Sequence, residues 1–242
     1  YYLFKKRVVK VLPIDKIAVE FNKEVKKHNL VPDTPYYFTG SPTSNNTRMV
    51  INDDLTEINV INFASNNYLG LGSDDRIKKR VSDMALKYGC GSGGSRFATG
   101  NTDIQLELEC RIAKFKGFED CLTYVTGYMA NTGAIPALLK STPFTFVQYS
   151  LSKFKKSVVF SDELNHASII EGISISKAKR VIYKHNDMAD LERKLNQHAK
   201  YYNRRMIISD GVFSLDGDIC HLKEILNLAK KNQCIVYIDD AH

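Results

Sequence analysis

The chain lacks paired cysteines. Its five, Cys90, Cys110, Cys121, Cys220 and Cys234, are odd in number and form no C-x-x-C pair. That argues against a disulfide framework and a structural zinc site, so no metal is expected. It predicts reduced, buried thiols of the kind kept in a cytosolic compartment. A long apolar run is missing too, since no stretch reaches the roughly 18 residues of a membrane-spanning helix. The opening Tyr1-Tyr2-Leu3-Phe4-Lys5-Lys6-Arg7 has neither an initiator methionine nor an apolar core with a cleavage site. A secretory signal is therefore not expected, and an incomplete N-terminus is. Charge of one sign is not concentrated anywhere. Lys+Arg 34 against Asp+Glu 27 leaves +7, but the basic residues fall in scattered pairs such as Lys26-Lys27, Arg204-Arg205 and Lys230-Lys231. Solvated faces account for most of these, and a phosphate-bearing cofactor or substrate is as good a target for the rest as nucleic acid, so charge alone does not decide the partner. Repeats and low-complexity tracts are absent. What is present, 43% apolar and 25% charged residues, excludes a wholly disordered chain. The 242 residues fit one large domain or two small ones.

Along the chain, residues 12–30 carry Ile17, Phe21 and Val25 at four-residue spacing, which predicts one amphipathic helix. Pro32 to Asn46, rich in Pro, Ser, Thr and Asn, reads as a loop or linker, and Ile58 to Phe63 as a short strand. Residues 1–57 are thus expected to be an N-terminal helix and linker ahead of a main domain over 58–242. Thr102-x-x-Gln105 is a capping box. It predicts a helix with Ile104, Leu108, Ile112 and Phe115 on one face and Gly117 as its stop. Strands are expected at Cys121–Val125, Val158–Ser161, Arg180–Tyr183, Met206–Ser209 and Cys234–Ile238, with Asn186 capping a helix that carries Leu191 and Leu195. Buried β-branched strands separated by helices indicate an α/β fold, a mostly parallel sheet with helices on both faces.

Ligands of such sheets collect beyond the carboxyl ends of the strands, and four of those ends are polar here. Thr126-Gly127-Tyr128 opens a helix, where unpaired amides and the helix dipole suit a phosphate. The same residues also make an ordinary cap. Gly89-Cys90-Gly91-Ser92-Gly93-Gly94-Ser95 matches neither a dinucleotide nor a P-loop fingerprint, and reads either as a plain loop or as backbone that approaches a ligand. His166 follows Asp162-Glu163-Leu164-Asn165 with no second histidine at metal-ligand spacing, so it is a structural residue or a ligand contact. Asp239 and Asp210 end buried strands, where a carboxylate needs a positive partner. One ligand would use all of these parts. Pyridoxal phosphate (PLP) has a phosphate for the helix, a ring nitrogen for a carboxylate, a ring face for an imidazole and a phenolic oxygen for a hydroxyl and a second imidazole.

Five segments in order carry a resemblance. They are Asn62-Phe63-Ala64-Ser65-Asn66-Asn67-Tyr68-Leu69-Gly70-Leu71, Gly91-Ser92-Gly93-Gly94-Ser95-Arg96 through Thr99-Gly100-Asn101, Ser161-Asp162-Glu163-Leu164-Asn165-His166-Ala167-Ser168, Asp210-Gly211-Val212-Phe213-Ser214-Leu215-Asp216-Gly217-Asp218, and Asp239-Asp240-Ala241-His242. Over residues 58–242 the chain resembles the α-oxoamine synthases, PLP enzymes of the aspartate-aminotransferase fold (fold type I). The resemblance implies that Thr126, Gly127 and Tyr128 lie at the cofactor phosphate, that His166 stacks on the ring and Asp239 pairs with its nitrogen. It also implies that Ser214 and His242 approach the phenolic oxygen and that Asn66 holds the amino-acid carboxylate, with His166, Asp239 and His242 as the catalytic set.

The family joins an amino acid to an acyl-CoA. The resemblance is nearest to the biotin-forming branch, which condenses L-alanine with pimeloyl-CoA to 8-amino-7-oxononanoate, CoA and CO2. A glycine C-acetyltransferase stays open, as does a noncatalytic partner subunit of the serine-palmitoyltransferase type. A cytoplasmic homodimer without nucleic-acid or membrane partners is implied. The chain stops at His242, ahead of the segment in which the family carries its Schiff-base lysine, so a fragment with little turnover of its own is expected. Ser141 to Ser157 stands where relatives have a short loop and reads as an insertion.

Overall fold

Apolar residues at helical spacing wind the first described segment into α1 (Ile14–Lys27), inside the predicted 12–30 window. The structure is a computed structural model, and it describes residues 14–28, 37–39, 46–51, 56–139 and 157–242. The chain forms two compact units, residues 1–91 and 92–242. In the first, β1 (Tyr37–Thr39), β2 (Asn46–Ile51) and β3 (Thr56–Ile61) make an antiparallel sheet in the order β1-β2-β3. α2 (Asp75–Tyr88) follows, its N-terminus capped by the Asp74 carboxylate, which accepts from Arg76 N–H.

The second unit continues with α3 (Arg96–Thr99), α4 (Asp103–Lys116), α5 (Gly127–Leu139), β4 (Ser157–Asp162), α6 (Ala167–Ser176), β5 (Lys179–Tyr183), α7 (Met188–His198), β6 (Arg204–Asp210), α8 (Leu222–Asn232) and β7 (Ile235–Asp239). The four strands form one fully parallel sheet in the order β5-β4-β6-β7. Alternate residues of each strand serve opposite faces. Val158, Phe160, Val181 and Ile207 pack on Leu191 and Leu195 of α7 and on Ile225 and Ala229 of α8. Val159, Met206 and Ile208 pack on Ile135 and Leu139 of α5 and on Ile169 and Ile173 of α6. Each such fully buried aliphatic side chain contributes about 1.5–3 kcal/mol. The expected α/β architecture with helices on both faces is therefore observed. α5 and α6 cross closely because residue 172 is glycine: a Cβ there would lie 2.6 Å from the Asn131 carbonyl oxygen.

Several local expectations change. The Pro32–Asn46 linker contains β1, because Tyr37-Phe38-Thr39 favours extended backbone and pairs with Met49–Ile51. Cys121–Val125 is no strand: the Thr123 N–H and hydroxyl both go to Glu109 Oε1, at 2.7 and 2.9 Å, instead of to a ladder. The capping box of α4 and its Gly117 stop are present. Its buried side is Glu109 and Ala113, however, whereas Leu108, Ile112 and Phe115 are exposed. Glu109 turns inward to meet Arg96 in a two-pronged ion pair of 2.6 and 2.8 Å. The α7 cap is Asp187, which accepts from Asp190 N–H, and not Asn186, which sits at φ 50°. Of the five free thiols, Cys220 is buried, but Cys90 and Cys110 are exposed. Residues 141–156 of the expected insertion lie outside the described residues.

Candidate functional site

β6 and β7 both end in a carboxylate, and their parallel register sets Asp210 directly beside Asp239. Like charges on neighbouring strands need an answer, and among the described residues their hydrogen-bond donors are all neutral. Asp239 accepts from Asn131 Nδ2 at 2.7 Å and from the Ala241 N–H at 3.1 Å. Asp210 accepts from the His166 N–H at 3.0 Å through Oδ2, while its Oδ1 is buried without a partner. Burial, and then the charge of Asp239, push the Asp210 carboxyl up to about 6. The expectation that these strand ends call for a positive partner thus gains a physical basis: two adjacent acids that, among the described residues, accept no hydrogen bond from a charged donor.

The wall facing Asp239 comes from α5 and α6. Asn131 on α5 uses its whole amide. It donates to Asp239 and, at 2.8 Å, to Ser168 Oγ, and it accepts from the Tyr237 hydroxyl at 2.8 Å. Because Asp239 only accepts, this sets the amide's orientation. Ser168 Oγ lies 2.7 Å from His166 Nδ1, which also accepts from the Ser168 N–H at 3.2 Å and so caps α6. With Nδ1 as an acceptor, the proton of the neutral ring sits on Nε2, and His166 as a whole is exposed. The turn that carries His166 is tied to β6 by Asn165, whose Nδ2 donates to the Ile208 carbonyl (3.0 Å) and to Ser161 Oγ (2.9 Å), while its Oδ1 accepts from the Asp210 N–H (2.9 Å). An unbroken line of hydrogen bonds therefore runs from Asp239 through Asn131 and Ser168 to His166.

Thr126 caps α5, its hydroxyl accepting from the Met129 N–H at 3.0 Å. Gly127 and Tyr128 are exposed in the first turn of this 13-residue helix. Asn131 is four residues on, so the amide-bearing end of α5 stands about one turn, ~6 Å, from the residue that holds Asp239. The ordinary cap and the anion site are both compatible with this arrangement. Ser214 is exposed on the loop after β6, and His242 is exposed three residues past Asp239. Asn66 is exposed in the 1–91 unit, and its role is carried on the sequence motif alone. In the glycine-rich loop, a Cβ on Gly94 would lie 2.6 Å from Thr99 Cγ2, so packing within its own turn explains that glycine.

Reading the sequence did not single out Asn131, Tyr237 or Ser168. A signal existed for two of them: Asn131 is a polar residue inside the apolar helix Gly127–Leu139, and Ser168 stands two residues past a histidine cap. Also missed was His185, whose Nδ1 lies 3.0 Å from Asp162 and whose Nε2 lies 2.7 Å from Asp218. Among the described residues, no helix is long and apolar enough to cross a membrane.

The sequence profile of the aminotransferase class I and II family matches residues 58–242. The chain is 47% identical over 181 residues to an 8-amino-7-oxononanoate synthase of Lysinibacillus sphaericus, covering 74% of this chain and 42% of that protein. To the synthase of the same name from Thermoanaerobacter pseudethanolicus it is 48% identical over 183 residues, covering 76% and 43%. The chain thus spans less than half the length of these curated relatives. Among solved structures, a serine palmitoyltransferase from S. paucimobilis with bound PLP-myriocin aldimine is similar with a TM-score of 0.74 at 26% identity, over 95% of this chain and 52% of that one. An 8-amino-7-oxononanoate synthase from Francisella tularensis is similar with a TM-score of 0.52 at 29% identity, over 69% and 41%.

Proposed function

The chain belongs to the aminotransferase class I and II family, within which its relatives are α-oxoamine synthases, and on that premise we propose that residues 58–242 form the major cofactor-binding domain of a PLP-dependent acyltransferase that condenses L-alanine with pimeloyl-CoA to give 8-amino-7-oxononanoate, CoA and CO2. The single observation that carries the cofactor assignment is the Asp210–Asp239 pair, which accepts no hydrogen bond from a charged donor among the described residues and which includes a buried oxygen without a partner. The donor set fits the group: two acids, an exposed imidazole and a helix N-terminus meet at one edge of the sheet.

When bound, the cofactor supplies an electron sink that depends on a protonated ring nitrogen. Asp239 keeps that proton in place by charge, and Asn131 fixes the carboxylate that does so. Asp210, its carboxyl raised to about 6, is protonated below that pH and adds a second negative charge beside Asp239 above it. His166 presents its ring with Nδ1 already engaged, so its face and Nε2 serve the ligand. The first turn of α5 at Thr126, Gly127 and Tyr128 takes the phosphate. Ser214 and His242 serve the phenolic oxygen, and Asn66 the substrate carboxylate. A cytoplasmic homodimer acting on an amino acid and an acyl-CoA completes the reading. It rests on 47–48% identity to proteins of that name, which favours the alanine–pimeloyl reaction over the glycine C-acetyltransferase alternative.

The test is spectroscopic. The full natural protein mixed with PLP develops the visible absorption of the bound cofactor, and Asp239→Ala weakens it; an unchanged spectrum in the variant refutes the assignment of the ring partner. Turnover of L-alanine with pimeloyl-CoA, against glycine with acetyl-CoA, separates the two acyltransferase readings.

A further inference from the structure

The loop from Gly211 to Cys220 carries Ser214 at its exposed tip and closes on itself. The Phe213 N–H donates to the Asp218 carbonyl (2.9 Å), the Gly217 N–H to the Phe213 carbonyl (2.8 Å) and the Cys220 N–H to the Gly211 carbonyl (3.0 Å), with Val212 bridged to Ile219. These bonds shape the loop but do not fasten its acidic arm to the sheet. The loop's base is held by the Gly211 N–H on the Asp239 carbonyl (2.8 Å) and by Phe213 and Cys220 in the core. Its acidic arm is fastened at Asp218, whose Oδ2 meets His185 Nε2 at 2.7 Å and accepts from Asn186 Nδ2 at 2.6 Å. Asn186 Nδ2 also reaches the Ile219 carbonyl at 3.3 Å. The other ring nitrogen, Nδ1, meets Asp162 Oδ1 at 3.0 Å. The ring also stands edge-on to buried Phe213, centroids 4.4 Å apart at 88°. Phe213 is the residue immediately before Ser214.

We infer that His185, bridging Asp162 of β4 to Asp218, is the latch that positions the Ser214 loop at the edge of the site. This deepens the cofactor reading above and rests on it for the role of Ser214.

The hydrogen-bond inventory forces the ring's state. A neutral imidazole has one N–H, so against two carboxylates it would aim a lone pair at one of them; a protonated ring donates to both. The surroundings are rich in acceptors: the Asp218 Oδ1 and Asn186 Oδ1 atoms are buried with no partner. The titratable and charged groups around His185 are Asp162 and Asp218, with Glu163, which accepts the His185 N–H at 2.8 Å. Tyr183 and Cys220, which border Asp162, are both pushed upward by burial and stay neutral. Burial opposes the His185 charge, yet the hydrogen bonds and charges of Asp162 and Asp218 outweigh it and raise its pKa. The sign follows: the latch is fully present below the ordinary imidazole value of about 6.5 and is lost as pH rises through the higher folded value. On deprotonation the remaining proton stays on Nδ1 toward Asp162, which is buried while Asp218 is partly exposed, and the Nε2 lone pair then repels Asp218.

Hydrogen exchange on the full natural protein without cofactor tests this. Protection factors of the Phe213 and Gly217 amides should fall about tenfold or more between pH 6 and pH 9, while those of Ile207 and Ile208 in β6 hold. His185→Gln should flatten the profile at its low end. Asp218→Asn, which leaves the His185–Asp162 contact, should also flatten it, and it stands in if His185→Gln loses β6 protection. Ring 15N shifts should report both His185 nitrogens protonated at pH 6.5. Wild-type loop protection that ignores pH, or variants that keep its pH dependence, would overturn the inference. Failure of the wild type to take up PLP would instead sink the functional reading and leave the exchange result standing.

Discussion

Two histidines stand near the carboxyl edge of one parallel sheet, and their surroundings differ in one respect that separates their uses. His166 is held through Nδ1 alone, by neutral Ser168 groups, and is exposed. His185 is held through both nitrogens by carboxylates and bears edge-on against a buried phenylalanine. An imidazole with one nitrogen committed keeps a face and an N–H for a ligand; one with both committed can only hold other parts of the chain. The same contrast runs through the acids. Asp162 is surrounded by donors, accepting from His185, Leu164 N–H and Asn186 N–H. Asp210 and Asp239 have no charged donor among the described residues.

The contrast can be broken in graded steps. The largest effect should come from Gly172→Val, which drives a side chain into the Asn131 carbonyl and separates α5 from α6. It should cost about 1–3 kcal/mol in denaturant unfolding and disturb Asn131, and with it Asp239, while exchange at the His185 loop stays as in the wild type. His166→Asn comes next. Asparagine is also a good helix cap, so stability should hold within about 0.5 kcal/mol. Loss of the ring should weaken PLP binding about tenfold in a titration, and equal affinity would reassign His166 to structure.

Asp210→Asn sharpens the acidic half of the comparison. With its carboxyl raised to about 6, wild-type Asp210 takes up a proton on folding, so wild-type stability grows as pH falls from 8 towards 5. The asparagine variant should lose that slope and be more stable at pH 8 by on the order of 1 kcal/mol. The smallest effect belongs to Ser168→Ala, which removes the hydroxyl between Asn131 and His166. About 0.5–1.5 kcal/mol of stability should go, read from the thermal midpoint.

The sheet and its helices were legible because burial on both faces writes continuous apolar runs into β4 and β6, the edge strand β7 keeps a β-branched run although it is only partly buried, and the covering helices carry apolar stripes. Asp210 and Asp239 were legible because an acid at the end of such a run stands out. Other features depend on partners distant in sequence. Asn131 acquires its place from Asp239, Ser168 and Tyr237, and nothing local to α5 states that. Cys121–Val125 has the composition of a strand but spends its central amide on Glu109, a choice made by the Arg96–Glu109 pair. The exposed apolar side of α4 misled for the same reason. Asn186 and Asp187 are both competent caps, and the one taken follows from the demand of Asp218 for the Asn186 amide.

One acid, Asp239, is matched to one heterocyclic nitrogen, and ring-labelled 15N PLP bound to the full natural protein measures that match directly. The nitrogen should resonate as a protonated pyridinium in the wild type and move to the neutral position in Asp239→Asn. A neutral nitrogen in the wild type, or a pyridinium that survives the substitution, would contradict it.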